Sequence, residues 1–281
     1  MRKIIENQSF DQERALYGIS DTTVRHCSFI GPADGESALK ETRNIDVDRC
    51  SFHLRYPLWH VSTFTVSNSE FGEPSRASAW YSSDGSFAEC TVRSVKFLRE
   101  CRHILLDNMI IVSPEFGWRC DGLTVKNCSI ESEYPFFESK GVHATDLKMK
   151  GKYSFQYCES VSLQNSELET KDTFWHAKNC TLENCTINGE YFGWYSEGLT
   201  LINCKVVGTQ PFCYCRNLTL TDCILEKADL AFEYSDVRAT IHSHVDSIKN
   251  PLSGEIRVDS VGQLIREDAV KECHCSIITK P

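Results

Sequence analysis

LTVKNCSI at residues 123–130, VSLQNSEL at 161–168, CTLENCTI at 180–187 and LTLINCKV at 199–206 share one pattern: apolar, polar, apolar, polar, Asn, small, polar, apolar. With the small residue after the Asn as an anchor, the series runs Gln8, Cys27, Cys50, Ser69, Cys90, Met109, Cys128, Leu147, Ser166, Cys185, Cys204, Cys223, His242 and Val261. The step is 19 residues, except 23 between Cys27 and Cys50 and 21 between Ser69 and Cys90. That period is too short for the two-helix repeats and carries no leucine-rich consensus. Around each anchor the alternation has period 2, with Leu218, Leu220, Cys223 and Leu225 as the inward set of one coil, which is strand chemistry. Strands that pair with their equivalents one coil away form a parallel β-helix. The expected fold is all-β: a single-stranded parallel β-helix of about fourteen coils over residues 1–265, with 266–281 as a C-terminal cap or tail. Handedness does not follow from the pattern; the general crossover preference makes it right-handed.

Turn residues recur in register. Six positions before the anchor stand Asn44, Asp84, Gly122, Gly141, Asn179, Gly198, Asn217 and Asp236, residue types that tolerate positive φ. The two long steps read as loop excursions, near Gly31–Gly35 and near Glu73–Arg76. Seven of the fifteen cysteines are anchors, and Cys101, Cys120, Cys158 and Cys215 share a column eleven residues later. Stacked thiols point the same way, nearly a coil spacing apart. They cannot close a bond of about 2.05 Å or surround a tetrahedral zinc ion, so they read as small buried core groups. The column of Asn68, Asn108, Asn127, Asn165, Asn184 and Asn203 reads as an amide ladder.

A formal net charge of −9 argues against nucleic-acid binding. No apolar run reaches the roughly 18 residues of a membrane span, and the opening stretch has no secretory h-region, so a cytoplasmic protein is expected. Nucleotide-loop and HExxH motifs are missing. His242, His244 and Cys273-His274-Cys275 lack zinc-finger spacing. No metal and no cofactor are expected.

Chemistry, if any, belongs to the aromatic stripe eight or nine residues after the anchor. It includes Trp118, Phe136-Phe137, Phe174-Trp175 and Trp194. Adjacent strand residues face opposite sides, so either the backbone bends here or one aromatic column is exposed. An exposed column would form a groove for an oligosaccharide, with Trp118, Glu138, Trp175, His176, Tyr191, Trp194, Tyr195, Tyr214 and Glu233 as candidate ligand-binding residues. The alternative is a non-catalytic scaffold whose stripe is buried internally or in a homo-oligomer. Acidic residues are scattered along the stripe, and no acid–base pair stands out.

The stretches IIENQSF (4–10), ERALYG (13–18), YPLW (56–59), FGW (116–118 and 192–194), FWHAKNCTLENCTINGEYFGWYSE (174–197), LAFEYSDV (230–237) and SIKNPLSGEI (247–256) carry a resemblance over essentially the whole chain. The sequence resembles DUF3737, a bacterial family of unknown function within the pectin-lyase-like superfamily. The resemblance implies a right-handed parallel β-helix and no particular activity. The Cys273-His274-Cys275 tail departs from the family pattern. Neither the acidic calcium cluster of pectate lyases nor the Asp-Asp pair of polygalacturonases is legible.

Overall fold

The computed structural model describes residues 2–280. It is a parallel β-solenoid of about fifteen turns with 19-residue spacing. Among the described residues the regular structure is strand, apart from one 3₁₀ turn at Glu73–Ser75. Among the described residues no helix is long and apolar enough to cross a membrane. Contacts divide the chain into two compact units, residues 1–143 and 144–281.

In the first unit, strands Ser20–Arg25, Arg43–Asp48, Ser62–Ser67, Ser83–Ala88, Arg102–Asp107 and Asp121–Lys126 stack in parallel. The register Ile45–Phe64–Gly85–Ile104–Leu123 forms one inward column. Gly85 leaves a gap there that the Phe64 ring fills: a Cβ on Gly85 would lie 2.2 Å from that ring. On the second side, the rings of Phe10, Phe29, Phe52 and Phe71 stack at 5.2, 4.7 and 4.8 Å. The excursion after Cys27 is packed down, with Gly35 N–H donating to the Asp11 carbonyl. A Cβ on Gly35 would come within 2.2 Å of the Gln12 backbone.

In the second unit, Glu159–Gln164, Thr181–Glu183, Thr200–Ile202 and Leu218–Glu226 stack in the same way. Leu218, Leu220, Cys223 and Leu225 are all buried. Two long strands follow, Asp236–Lys249 and Ser253–Ile265, and Ser276–Thr279 pairs in parallel with the last of them. Here the anchor series needs correction. Cys223 pairs with Ile241, and Ile241 with Val258; His242 and Val261 are not in the column. The long strands run straight through the position where other coils kink, which shortens the step. Asp236 likewise has no positive φ.

The bends elsewhere are left-handed single residues. Asn44, Asp84, Gly122, Gly141, Asn179, Gly198 and Asn217 all have φ between 49° and 73°. The Asn column before the anchor is left-handed throughout, from Asn68 at 49° to Asn203 at 50°. Its amides form a ladder only where Asn203 donates to Asn184 (2.8 Å) and Asn184 to Asn165 (3.4 Å). Tolerance of positive φ is therefore the more general reason for Asn here.

The anchor columns do more than fill space. Past each bend a backbone N–H is left over. Those of Cys50, Cys120, Leu147 and Cys215 donate to the hydroxyls of Ser69, Ser139, Ser166 and Ser235 at 2.8–3.1 Å. The N–H of Cys185 faces the Cys204 sulfur at 3.5 Å. The thiols of Cys90, Cys101 and Cys204 lie 3.4–3.6 Å from carbonyls of the preceding coil. A column residue that is small, buried and able to hydrogen-bond suits these positions, which favours Cys and Ser, although Met109, Leu147, Ile241 and Val258 fill the same column with apolar bulk alone. All fifteen cysteines are free thiols. Burial pushes Cys50 and Cys213 up to about 12, and Cys90, Cys180, Cys215 and Cys223 up to about 11.

Two outcomes are expected. Thr63 is a β-branched residue at φ 52° in the bend column. Thr63→Asn should therefore stabilise the fold by about 1 kcal/mol in urea unfolding. The thiols of Cys50, Cys90, Cys180, Cys213, Cys215 and Cys223, raised from 9.0, stay protonated in the fold after unfolded thiols have ionised. Their stabilisation is complete below pH 9.0 and is lost as pH rises toward 11–12, so melting temperatures should fall over that interval and not in mild acid.

Candidate functional site

At the aromatic stripe the backbone bends, resolving the alternative left open by period-2 reasoning. Phe136, Phe155, Phe174, Phe212 and Phe232 have φ of 55–67°, and two residues later Glu138, Tyr157, His176, Tyr214 and Tyr234 are again left-handed. Each turn thus sends one ring inward, keeps the next on the corner and points the third outward. The phenylalanines are fully buried. In the two FGW stretches Gly117 (φ 68°) and Gly193 (φ 77°) take the left-handed position, and the ring comes from Phe116 or Phe192, one residue earlier. The stack adjusts from parallel (Phe155–Phe174, 4.7 Å, 14°) to edge-on (Phe174–Phe192, 5.7 Å, 68°).

The corner column is half-buried. In the first unit Lys40 Nζ sits 4.3 Å from the Trp59 ring, Trp59 stacks on Trp80 at 5.5 Å, and the Arg99 guanidinium lies 5.8 Å from Trp80 and 4.9 Å from Trp118. Glu115 holds Arg99 at 2.8 Å. The Trp118 indole N–H donates to the Tyr134 carbonyl. In the second unit Trp175 and Trp194 stack at 5.3 Å and 6°, donating to the Tyr191 and Gln210 carbonyls at 2.7 Å. Among the described residues the Trp59 and Trp80 indoles, beside the Glu73–Ser75 excursion, have no acceptor.

The outer row of the second unit is partly exposed but stacked along its length. Tyr157, His176, Tyr195 and Tyr214 stack at 5.0, 4.9 and 4.8 Å with planes within 8°. A sugar ring inserted between two such faces needs roughly twice the 3.5–4 Å contact distance, about 7 Å. Between successive rungs no ring face is open. The expected exposed groove is therefore corrected: the column register brings each ring against its neighbour and closes the stripe.

The carboxylates are also taken. Glu138 is paired with Arg119 at 2.6 Å. Glu233 is paired with Lys249 at 3.1 Å and accepts the Tyr214 hydroxyl at 3.2 Å. Burial, then Glu233, pushes the Tyr214 phenol up to about 12, too high for a neutral-pH base. Of the nine sequence candidates, Trp118 and Glu138 lie in the first unit and seven in the second. There Trp175 meets Trp194, and Tyr191 meets Trp194 edge-on at 5.6 Å. His176, Tyr195 and Tyr214 form the ladder, with Glu233 at its end. No two carboxylates among these candidates form a free acid–base pair.

Sequence reasoning missed a shallow groove of about 680 Å³ on the strand face of the first unit, lined by Asp46, Thr65, Ser86, His103, Thr124 and His143. It opens where Gly122 and Gly141 leave adjacent bends bare, and that glycine pair is the only sequence signal of it. Asp84 is paired with His103 at 3.0 Å, and its carboxyl is held low by His103 and Ser83. Asp46 is engaged by Arg2 and Thr65. Among the described residues no three His, Cys, Asp or Glu side chains converge as for a metal ion.

The model of the family described as "Protein of unknown function (DUF3737)" matches residues 3–278. The match carries no assignment to the pectin-lyase-like superfamily. A search of curated proteins and one of solved structures find no match to this chain.

Because Trp175 is held by a stacked indole and a hydrogen bond, Trp175→Ala should cost about 2–3 kcal/mol in chemical denaturation. A loss under 0.5 kcal/mol would show that the column is not a packing element.

Proposed function

The chain belongs to the DUF3737 family of unknown function, and on that premise we propose that it is a non-catalytic β-solenoid scaffold whose aromatic stripe is an internal packing spine. One observation carries the reading. Successive rings along Tyr157–His176–Tyr195–Tyr214 and Trp175–Trp194 stack face to face at 4.8–5.3 Å. The rings spend their stacking energy inside the protein. The partnered Glu138 and Glu233 and the buried, hydrogen-bonded thiols add to it, since none is left as a reactive group. The formal net charge of −9 speaks for partners other than nucleic acid.

Tryptophan fluorescence tests this directly. Titration with neutral and uronate oligosaccharides to millimolar concentration should give no saturable change. A saturable quench that disappears in Trp194→Ala would defeat the scaffold reading.

A further inference from the structure

Two residues beyond each rung of the tyrosine ladder runs a second row: Glu159, Lys178, Glu197 and Arg216. Consecutive members are bridged in parallel, so they stand one coil spacing apart, about 4.8 Å. All four are exposed. The signs alternate: minus, plus, minus, plus. Among the described residues none of the four makes an ion pair within the chain. Neighbours of opposite sign in one column attract modestly, but these charged heads are not spent on each other.

Alternation over four rungs has a symmetry consequence. Turn the row end over end about a two-fold axis lying across it, between the Lys178 and Glu197 rungs. Glu159 then faces Arg216 of the second copy and Lys178 faces Glu197, with the remaining two contacts generated by the axis. Every facing pair has opposite sign. The same operation lays the ladder on its own reverse, His176 opposite Tyr195 and Tyr157 opposite Tyr214, so edge meets edge at a common spacing. A partner with acceptors and donors repeating at one coil spacing is itself a parallel β-solenoid, and self-complementarity selects this chain.

The geometry points to an interface between two copies of this protein, antiparallel and isologous, formed by the Glu159–Lys178–Glu197–Arg216 row and the exposed edge of the Tyr157–Tyr214 ladder. This goes beyond the scaffold reading and stands or falls separately from it, because sugar titration does not read assembly.

Sedimentation of the full chain over a concentration series tests it. The wild type should dimerise reversibly, more weakly at 0.5 M than at 0.05 M salt. Lys178→Glu sets glutamates against Glu197 of the second copy and should weaken association by at least about tenfold. Glu197→Lys should do the same. The double variant Lys178→Glu/Glu197→Lys restores both facing pairs while leaving the row within each chain out of alternation, so it should dimerise like the wild type. Unchanged thermal melting would establish that each variant folds. A wild type monomeric at about 100 μM, a dimer indifferent to Lys178→Glu, or a double variant that fails to recover would each overturn the proposal.

Discussion

Parallel, in-register hydrogen bonding between coils is the constraint from which the other features follow. The Phe212 N–H donates to the Phe192 carbonyl, that of Thr186 to Ser166, that of Ser51 to Cys27: each is tied to the residue just before its equivalent one turn earlier, so Thr186 stands beside Glu167 and Ser51 beside Ser28. A side chain therefore meets the members of its own column at about 4.8 Å, and a column survives only if its members tolerate one another. Phenylalanines stack, serines and thiols pass hydrogen bonds, and Arg119–Glu138, Lys171–Glu190 and Lys205–Glu226 pair opposite charges one coil or slightly more apart. Like charges stacked in one column would repel over the whole length.

The bends are the second constraint, because an L-residue at positive φ costs roughly 1–2 kcal/mol. Two of the bend columns meet it largely with Gly, Asn and Asp. The aromatic turn meets it differently: bulky Phe174, His176, Phe212 and Tyr214 are held at 54–62°. Packing over-determines those conformations, since the reward for the bend is a buried phenylalanine stack along the inner wall. Where the stack can be served by the preceding residue, as in the FGW stretches, glycine returns.

Period and inward columns were legible because a 19-residue register writes the same chemistry at the same offset many times. The bends before the anchor were legible for the same reason, through Gly122, Asn179 and their equivalents. Three features were not. Ile241 in place of His242 was hidden because Asp236–Lys249 keeps its alternation while dropping the kink, and a periodic count does not see a missing residue. The fate of the aromatic stripe turned on phenylalanines at positive φ, which no residue propensity anticipates. The groove beside Gly122 and Gly141 is made of absent side chains.

The same register explains why a reactive centre is hard to build on these faces. Column members project in parallel, so carboxylates in one column stay a coil spacing apart and aim at no common point, whereas acid–base chemistry requires two groups converging on one bond. Solenoids escape this only where the repeat is interrupted. In this chain the excursion near Gly35 is packed on the backbone of Gln12 and Glu13, and its acids Asp34 and Glu36 lie 3.5 and 3.8 Å from Arg55. The other is a short 3₁₀ turn whose Ser75 is buried and bonded to Ser78. Both interruptions close down on the coil. What the molecule offers outward is then the regular spacing itself, and a surface defined by spacing recognises best another surface with the same period.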